Sequence, residues 1–355
     1  MRPFVYERAA DPNQAVNTAD QSAGTRSDAQ FLAGGTTLLD LMKLEVMRPA
    51  TIIDINPLES TTLGRIEVSQ NGLRLGALVR MADAAEHQEI REQYPVIAQS
   101  LKLAASQQLR NMASLGGNVL QRTRCTYFRE ISYAACNKRS PGSGCAAMNG
   151  VNRTHAILGT SNDCIATYPG DFAQALLALD ASVEVAGPSG SRTIPFAVLH
   201  RRPGDRPDQE TNLRPAELIV SFTIPAAPWT RRSLYLKVRD RESYEFALAS
   251  AAVALDQTNG IVRQARIALG GVAGCRGVHW KQKKRSSTKQ STNRRLRPPP
   301  RPLLPMPKGT AATTSRSRLA SSPCAARCSR PRRWRFEHGQ RHVYGCCTSA
   351  GRQYG

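Results

Sequence analysis

The chain changes character at one point, and that point limits what can fold. Residues 1–273 hold 29 Lys+Arg against 26 Asp+Glu, a net charge of +3, whereas residues 274–355 hold 20 Lys+Arg and one acid, Glu337, a net +19. Stretches of the tail such as Lys281-Gln-Lys-Lys-Arg and Arg297-Pro-Pro-Pro-Arg-Pro show neither helical nor strand periodicity. A segment of this composition cannot bury enough apolar surface to offset its ordering entropy. The near-neutral body is long enough for two domains and a well-buried core. A nucleic-acid reading of the whole-chain +22 therefore rests on the tail alone, and binding that fell steeply with salt would mark it. No apolar run approaches the ~20 residues of a membrane span. Met1-Arg-Pro-Phe-Val-Tyr lacks the apolar core of a signal peptide. The expectation is a soluble chain that binds no membrane and carries no export signal of its own.

Within the body, Phe31–Leu44 reads as a strand end, a tight loop and a helix, with Thr36 placed to cap the helix. Thr51–Ile55 is a short apolar strand that closes a β-α-β unit. Gly72–Val79 alternates as a strand, helices are expected over 82–93 and 96–109, and Arg110–Asn118 is polar and glycine-rich. Residues 121–168 show no clean period, and an irregular stretch this long inside a compact domain is usually functional. A helix over 169–180 and a strand over 182–186 follow. Residues 201–216, with three prolines, read as a linker. Beyond it, strands at Glu217–Ile224, Leu234–Arg239 and Ile261–Leu269, with an Ala-rich helix over Tyr244–Leu255, look like the start of a second α+β domain that breaks off at 273.

Two glycine pairs, Gly34-Gly35 and Gly116-Gly117, stand in loops before helices. A pyrophosphate needs donors, and loop amides at a helix start supply them where no side chain blocks the approach. Neither loop is a G-x-G-x-x-G or a Walker loop, and either pair alone is more often a plain tight turn; two such loops with matching flanks favour the phosphate reading. Four cysteines, Cys125, Cys136, Cys145 and Cys164, cluster just beyond the second pair, with spacing C-x10-C-x8-C-x18-C. They lack the paired C-x2-C of a zinc ribbon. Spacing leaves zinc, an iron–sulfur cluster and two disulfides open. Four buried thiols fit poorly, because the surrounding loop is polar and basic, with Arg122, Arg124, Arg129, Lys138 and Arg139. No histidine spacing suggests a metal, and no Ser/His/Asp set or carboxylate pair is present, as fits a protein whose cofactor does the chemistry.

Phe31-Leu-Ala-Gly-Gly-Thr-Thr-Leu-Leu-Asp-Leu-Met-Lys resembles the first flavin loop of the FAD-binding medium subunits of the xanthine dehydrogenase family, and Arg110-Asn-Met-Ala-Ser-Leu-Gly-Gly-Asn-Val-Leu resembles their second. Gln121-Arg-Thr-Arg-Cys-Thr-Tyr-Phe-Arg, Cys136-Asn-Lys-Arg, Pro141-Gly-Ser-Gly-Cys-Ala-Ala, His155-Ala-Ile-Leu-Gly and Leu236-Lys-Val-Arg-Asp-Arg resemble the periplasmic aldehyde oxidoreductase type. The likeness covers 1–273. It implies an α+β fold: a two-part PCMH-type FAD-binding domain (1–57 and 58–200), the linker, and from 217 an incomplete C-terminal domain of the CO-dehydrogenase flavoprotein type.

By this resemblance Ala33, Gly34, Gly35, Thr36, Thr37 and Leu38 hold the FAD pyrophosphate through backbone amides. Ser114, Gly116, Gly117 and Asn118 hold its other side and the ribityl region. Asp171 is a polar contact to the cofactor or, equally, a plain helix cap. Lys237 lies near the flavin ring or faces solvent, the second being preferred. The four cysteines would carry a [4Fe–4S] cluster, with His155 nearby as a structural hydrogen-bonding group. The implied activity is electron transfer within a molybdenum-containing aldehyde dehydrogenase. Electrons would pass from a large molybdenum-cofactor subunit through a small [2Fe–2S] subunit to FAD here, in a heterotrimer. The compartment would be the periplasm by co-export with a partner, or the cytoplasm. A free-standing flavin oxidase would need its own acid/base residue, and none is evident. The family pattern stops at Gly274-Cys-Arg-Gly. With one choice of codons, Trp280–Arg285 read two nucleotides in gives Glu-Ala-Glu-Glu-Ala, a helix start, so the tail is read as the product of a frameshift.

Overall fold

The computed structural model describes residues 1–23, 29–274 and 279–283. The most basic part of the tail lies outside these residues. A first, parallel sheet has the order β1-β3-β2, from β1 (Val5–Arg8), β2 (Ala29–Leu32) and β3 (Thr51–Asp54). All four residues of the central strand β3 are buried, as its unbroken apolar Thr-Ile-Ile run requires. Helix α1 (Pro12–Ala23) links β1 to the sheet and α2 (Leu38–Lys43) follows β2, so the expected β-α-β unit is present. Ala15 and Val16 of α1 pack with Ile53, Leu58 and Leu78 in a small core.

The second sheet is antiparallel in the order β4-β5-β8-β6-β7, with β4 (Ile66–Ser69), β5 (Gly72–Gly76), β6 (Ser182–Gly187), β7 (Gly190–Pro195) and β8 (Leu218–Pro225). Between β5 and β6 run the helices α3 (Met81–Glu86), α4 (Gln88–Gln93), α5 (Pro95–Lys102), α6 (Gln107–Met112), α7 (Leu115–Val119), α8 (Thr126–Arg129) and α9 (Phe172–Ala178). The helices expected over 82–93 and 96–109 are each broken in two, the first at His87 and the second over 103–106, where the Ser106 hydroxyl caps α6 by accepting from the Leu109 amide. A third antiparallel sheet has the order β12-β11-β10-β9, from β9 (Ser233–Val238), β10 (Ala249–Thr258), β11 (Ile261–Gly270) and β12 (His279–Lys283).

Two expectations are corrected. The strand at 217–224 does not open the second domain. It is β8, paired on one side with β5 and on the other with β6, so a boundary before 217 would cut a sheet in two. The Ala-rich helix over Tyr244–Leu255 is instead a loop and the strand β10. Its alanines alternate, with Ser250, Ala252 and Ala254 buried and their neighbours facing out, and pairing to β9 and β11 outweighs alanine's helix preference. Helix α9, every residue buried, joins the second and third sheets in one core. Phe172 packs edge-on against Phe222 of β8, and the same cluster takes in Tyr235, Ala252 and Ala268.

Candidate functional site

The two glycine loops touch. A Cβ on Gly34 would lie 1.9 Å from the Met112 carbonyl oxygen, so only glycine allows the backbone of the first loop to sit on that of the second. Gly35 has φ +71°, the left-handed turn that feeds the chain into α2. Side chains that carried no sequence signal hold both loops. Arg80 donates from Nη1 to the Met112 carbonyl at 2.6 Å and from Nη2 to Asn56 Oδ1 at 3.1 Å, while Asn56 Nδ2 donates to the Ala33 carbonyl at 3.0 Å. Glu59 pairs with the same guanidinium. Their only clue was position: each follows an apolar strand run directly, Asn56 after Ile55 and Arg80 after Val79.

In the first loop the amides of Gly34, Gly35, Thr36, Thr37 and Leu38 find no acceptor among the described residues, whereas those of Leu39 and Leu41 bond to the Gly35 and Thr37 carbonyls. Thr36 does not cap α2. The cap position falls to Thr37, whose hydroxyl makes no capping bond. The second loop is the opposite case. Gly116 donates to the Ala77 carbonyl at 2.8 Å, Asn118 to the Ser114 carbonyl at 2.9 Å, and Gly117 to the Ser114 hydroxyl at 3.2 Å. These three amides are bonded within the fold. What the second loop offers is a side chain: Asn118 Oδ1 is buried and has no hydrogen-bond partner.

A cavity of about 250 Å³ collects four of the expected residues, Thr36, Thr37, Asn118 and Asp171, together with Arg124 and the β9–β10 loop residues Tyr244 and Phe246. Asp171 stands at the cap of α9 but caps nothing. Its buried carboxylate accepts from the Tyr235 hydroxyl at 2.6 Å and from Lys237 Nζ at 2.7 Å. Lys237 is therefore not solvent-facing. Its side chain is 1% exposed and also donates to the Leu103 carbonyl at 3.0 Å. Burial pushes the Asp171 carboxyl up, against the pull of Lys237 and Tyr235, and burial with the Asp171 charge holds the Tyr235 hydroxyl well above its ordinary value.

The four cysteines are all reduced. Cys136 and Cys145 face each other in an isolated antiparallel bridge, and the Cys136 and Cys164 thiols lie near enough to Cys125 to oppose its ionisation. Burial pushes the Cys125 thiol up to about 12 and raises Cys164. His155 Nε2 is 3.1 Å from Cys125 Sγ. No group of three or more His, Cys, Asp or Glu among the described residues is gathered closely enough for a single metal ion. The five cations expected beside the cysteines are tied rather than merely solvated. Arg124 and Arg129 reach Asp40 at 3.1 and 2.9 Å, Arg122 and Lys138 reach Glu210 at 2.8 and 3.4 Å, and Arg139 donates to the Tyr127 and Phe128 carbonyls. Burial alone would raise the Glu210 carboxyl, but Lys138 and Arg122 together hold it below the usual range. Glu210 belongs to the stretch expected as a linker, which is thereby fastened to the cysteine loop. Between them lies a second cavity of about 860 Å³, lined by Phe31, Lys138, Cys164, His200 and Glu210 and sharing Gln121 as a wall with the first.

Comparison with known proteins gives a consistent answer. The profile of the FAD binding domain in molybdopterin dehydrogenase matches residues 2–227. The chain is 50% identical over 275 residues to the aldehyde oxidoreductase FAD-binding subunit PaoB of Escherichia coli strain K12, covering 77% of this chain and 82% of that protein. It is 25% identical over 269 residues to the glyceraldehyde dehydrogenase medium chain of Sulfolobus acidocaldarius, covering 76% and 75%. In three dimensions it matches a chain of the carbon monoxide dehydrogenase of Hydrogenophaga pseudoflava with a TM-score of 0.57 at 25% identity, covering 79% and 77%.

Proposed function

The chain belongs to the FAD-binding family of the molybdopterin dehydrogenases, and from that premise we propose that it is the flavin subunit of a molybdenum hydroxylase that oxidises aldehydes to carboxylic acids. The observation that carries the cofactor assignment is the run of five amides, Gly34 to Leu38, without acceptors among the described residues, beside a cavity lined by Asn118, whose Oδ1 has no partner among them. Backbone donors of this kind suit a diphosphate, and the Asn118 amide suits a sugar hydroxyl. Bound FAD supplies the two-electron and one-electron chemistry. The protein's part is to hold the two loops in register through Arg80 and Asn56, and to wall the cavity with Tyr244 and Phe246. Asp171 in the cavity wall and Lys237 behind it form a buried pair, and we assign Lys237 the role of a positioning residue for Asp171.

The half-identical relative is an aldehyde oxidoreductase subunit, which supports an aldehyde as the substrate of the assembled enzyme. We assign the aldehyde chemistry to a large molybdenum-cofactor partner and the electron feed to a small [2Fe–2S] partner, in a heterotrimer located in the periplasm by co-export or in the cytoplasm. The four cysteines are read as ligands of a [4Fe–4S] cluster. A cubane holds its thiolates farther apart than one tetrahedral ion does, so the lack of a single-ion site does not decide against it. A cluster held by four thiolates is a net anion, and residues 121–168 carry six Lys and Arg against Glu130 and Asp163, four of the cations being paired with Asp40 or Glu210 from outside the loop. Iron in place of the proton also answers the unfavourable ionisation of the buried Cys125.

Co-expression with both partners and anaerobic purification tests the reading by visible spectrum and iron analysis. One FAD per chain is expected, with iron beyond that of the [2Fe–2S] subunit. Flavin bands without that extra iron remove the cluster and leave the flavin. Colourless material that takes up no FAD removes both.

A further inference from the structure

The wall of the smaller cavity holds one cation that the fold does not account for. Its charged lining residues are Arg124, Asp171, Arg241 and Glu245. Asp171 is answered by Lys237 at 2.7 Å, and Arg241 by Glu245 at 3.5 Å. Arg124 has to share its partner. Its Nη1 donates to Asp40 Oδ2 at 3.1 Å, but Arg129 Nη2 already reaches both oxygens of that carboxylate, at 3.1 and 2.9 Å. Two guanidiniums thus face one carboxylate, and a positive charge is left over at the wall. The Arg124 Nε is buried and has no hydrogen-bond partner among the described residues. The Phe246 ring, 5.1 Å from the guanidinium carbon, helps to hold the group where it is.

A tie between α2 and the cysteine loop does not need this arrangement, because Arg129 makes the same tie to Asp40 by itself. A counter-charge for the cysteines does not need it either. Of the five cations expected beside them, only Arg124 lines this cavity. A buried donor without a partner is costly, and a residue kept for structure alone gains nothing by carrying one. The spare donor and the spare charge both suit a group that enters the cavity and becomes more negative there.

We propose that Arg124 tunes FAD: its guanidinium meets the cofactor in this cavity and stabilises the reduced ring over the oxidised one. The inference rests on the assignment of this cavity to the flavin. The oxidised ring is neutral. Two electrons from the [2Fe–2S] partner and one proton from solvent make it an anion, and a cation at the wall acts on that difference in charge. A potential moves only so far as the residue interacts unequally with the two states, so the effect is read as a ratio of affinities for reduced and oxidised FAD. Arg124 is also joined directly to Cys125, so the cysteine loop acts on the flavin through this side chain.

The test is a reductive titration of the assembled complex against a dye of known potential, for the parent, Arg124→Gln and Asp40→Asn. Arg124→Gln should shift the ratio about tenfold towards oxidised flavin, a fall of about 30 mV for the two-electron couple, while affinity for oxidised FAD changes no more than a few-fold. Asp40→Asn leaves the Arg124 charge unopposed and should shift the ratio about threefold the other way, a rise of roughly 15 mV. A purely structural role does not give shifts of opposite sign. Asp40 does not line the cavity, so this second variant decides the matter should Arg124→Gln fail to assemble. An unchanged flavin potential, or a shift confined to the iron–sulfur signals read by EPR on the same samples, overturns the inference and leaves the FAD assignment standing. A parent complex that carries no FAD overturns that assignment, and this inference with it.

Discussion

Gly34→Ala is the sharpest test of how the loops hold FAD. The new Cβ would fall 1.9 Å from the Met112 carbonyl oxygen and 2.6 Å from its carbon, and Cβ atoms do not approach a heavy atom within 3.0 Å, so the loops must part by about 1.1 Å. Met112 cannot yield alone, because Arg80 holds its carbonyl. Overpacking of this size costs about 1–3 kcal/mol of stability. The effect on FAD is larger. A charge-assisted hydrogen bond is worth about 1.5–3 kcal/mol, so displacing two of the five amides from the diphosphate lowers affinity by about 10²–10⁴-fold. Gly35→Ala is the control. It places alanine at φ +71°, a cost of about 1–2 kcal/mol, but its Cβ meets the Leu39 side chain, which can turn aside. Flavin retention after gel filtration and fluorescence titration of the apoprotein measure both variants. Gly34→Ala should emerge colourless yet folded, and Gly35→Ala less stable yet yellow. Full FAD in Gly34→Ala, with affinity within a few-fold of the parent, would refute the idea that contact between the loops sets the site.

Asn118→Leu removes a buried oxygen that has no partner, so the apoprotein should keep its stability or gain about 1 kcal/mol while FAD binding weakens at least tenfold; a thermal melt and a titration on the same sample separate the two. Lys237→Met strands the buried Asp171 carboxylate and should cost about 3–5 kcal/mol, whereas Asp171→Asn combined with Lys237→Met should recover most of that loss, as denaturant curves will show. Glu210 sits below the usual carboxylate range, so its contribution is present above its unfolded pKa of about 4.3 and disappears as pH falls through the lower folded value. Glu210→Gln should therefore cost about 1.5–3 kcal/mol at pH 7 and progressively less in acid. A pH-independent loss would mean that Glu210 acts by shape.

The local parts of the fold were legible because local patterns determine them. The strand-loop-helix around Gly34-Gly35, the strands at 182–186, 234–239 and 261–269 and the charge break at 273 needed no distant partner to be seen. What failed needed tertiary information. Ala251–Leu255 looks helical by composition, and only its place between β9 and β11 makes it a strand. Lys237 looks exposed on an alternating strand, and only Asp171, 66 residues earlier in the chain, draws it inside. The same limit hid Arg80 and Asn56, since nothing in a one-dimensional pattern tells a residue that it will bond to the main chain of Met112 or Ala33. The glycines of the second loop were recognised, but not that Gly116 also packs closely on Ala77, 39 residues earlier in the chain.

These long-range ties also couple β9 to the cavity. Tyr235 and Lys237 of β9 both reach Asp171, and the β9–β10 loop supplies Tyr244 and Phe246 to the cavity wall. One strand therefore ties its inner side chains Tyr235 and Lys237 to Asp171 of the cavity wall and turns its outer side chains, Leu234, Leu236 and Val238, outward. Fraying of that strand exposes no new site on the outside, but on the inside it breaks the Asp171 pair and opens the cavity. Loosening of β9 would accordingly appear first as weaker flavin retention, before the first two sheets unfold, because the cooperative unit of lowest stability is the one with the fewest buried contacts.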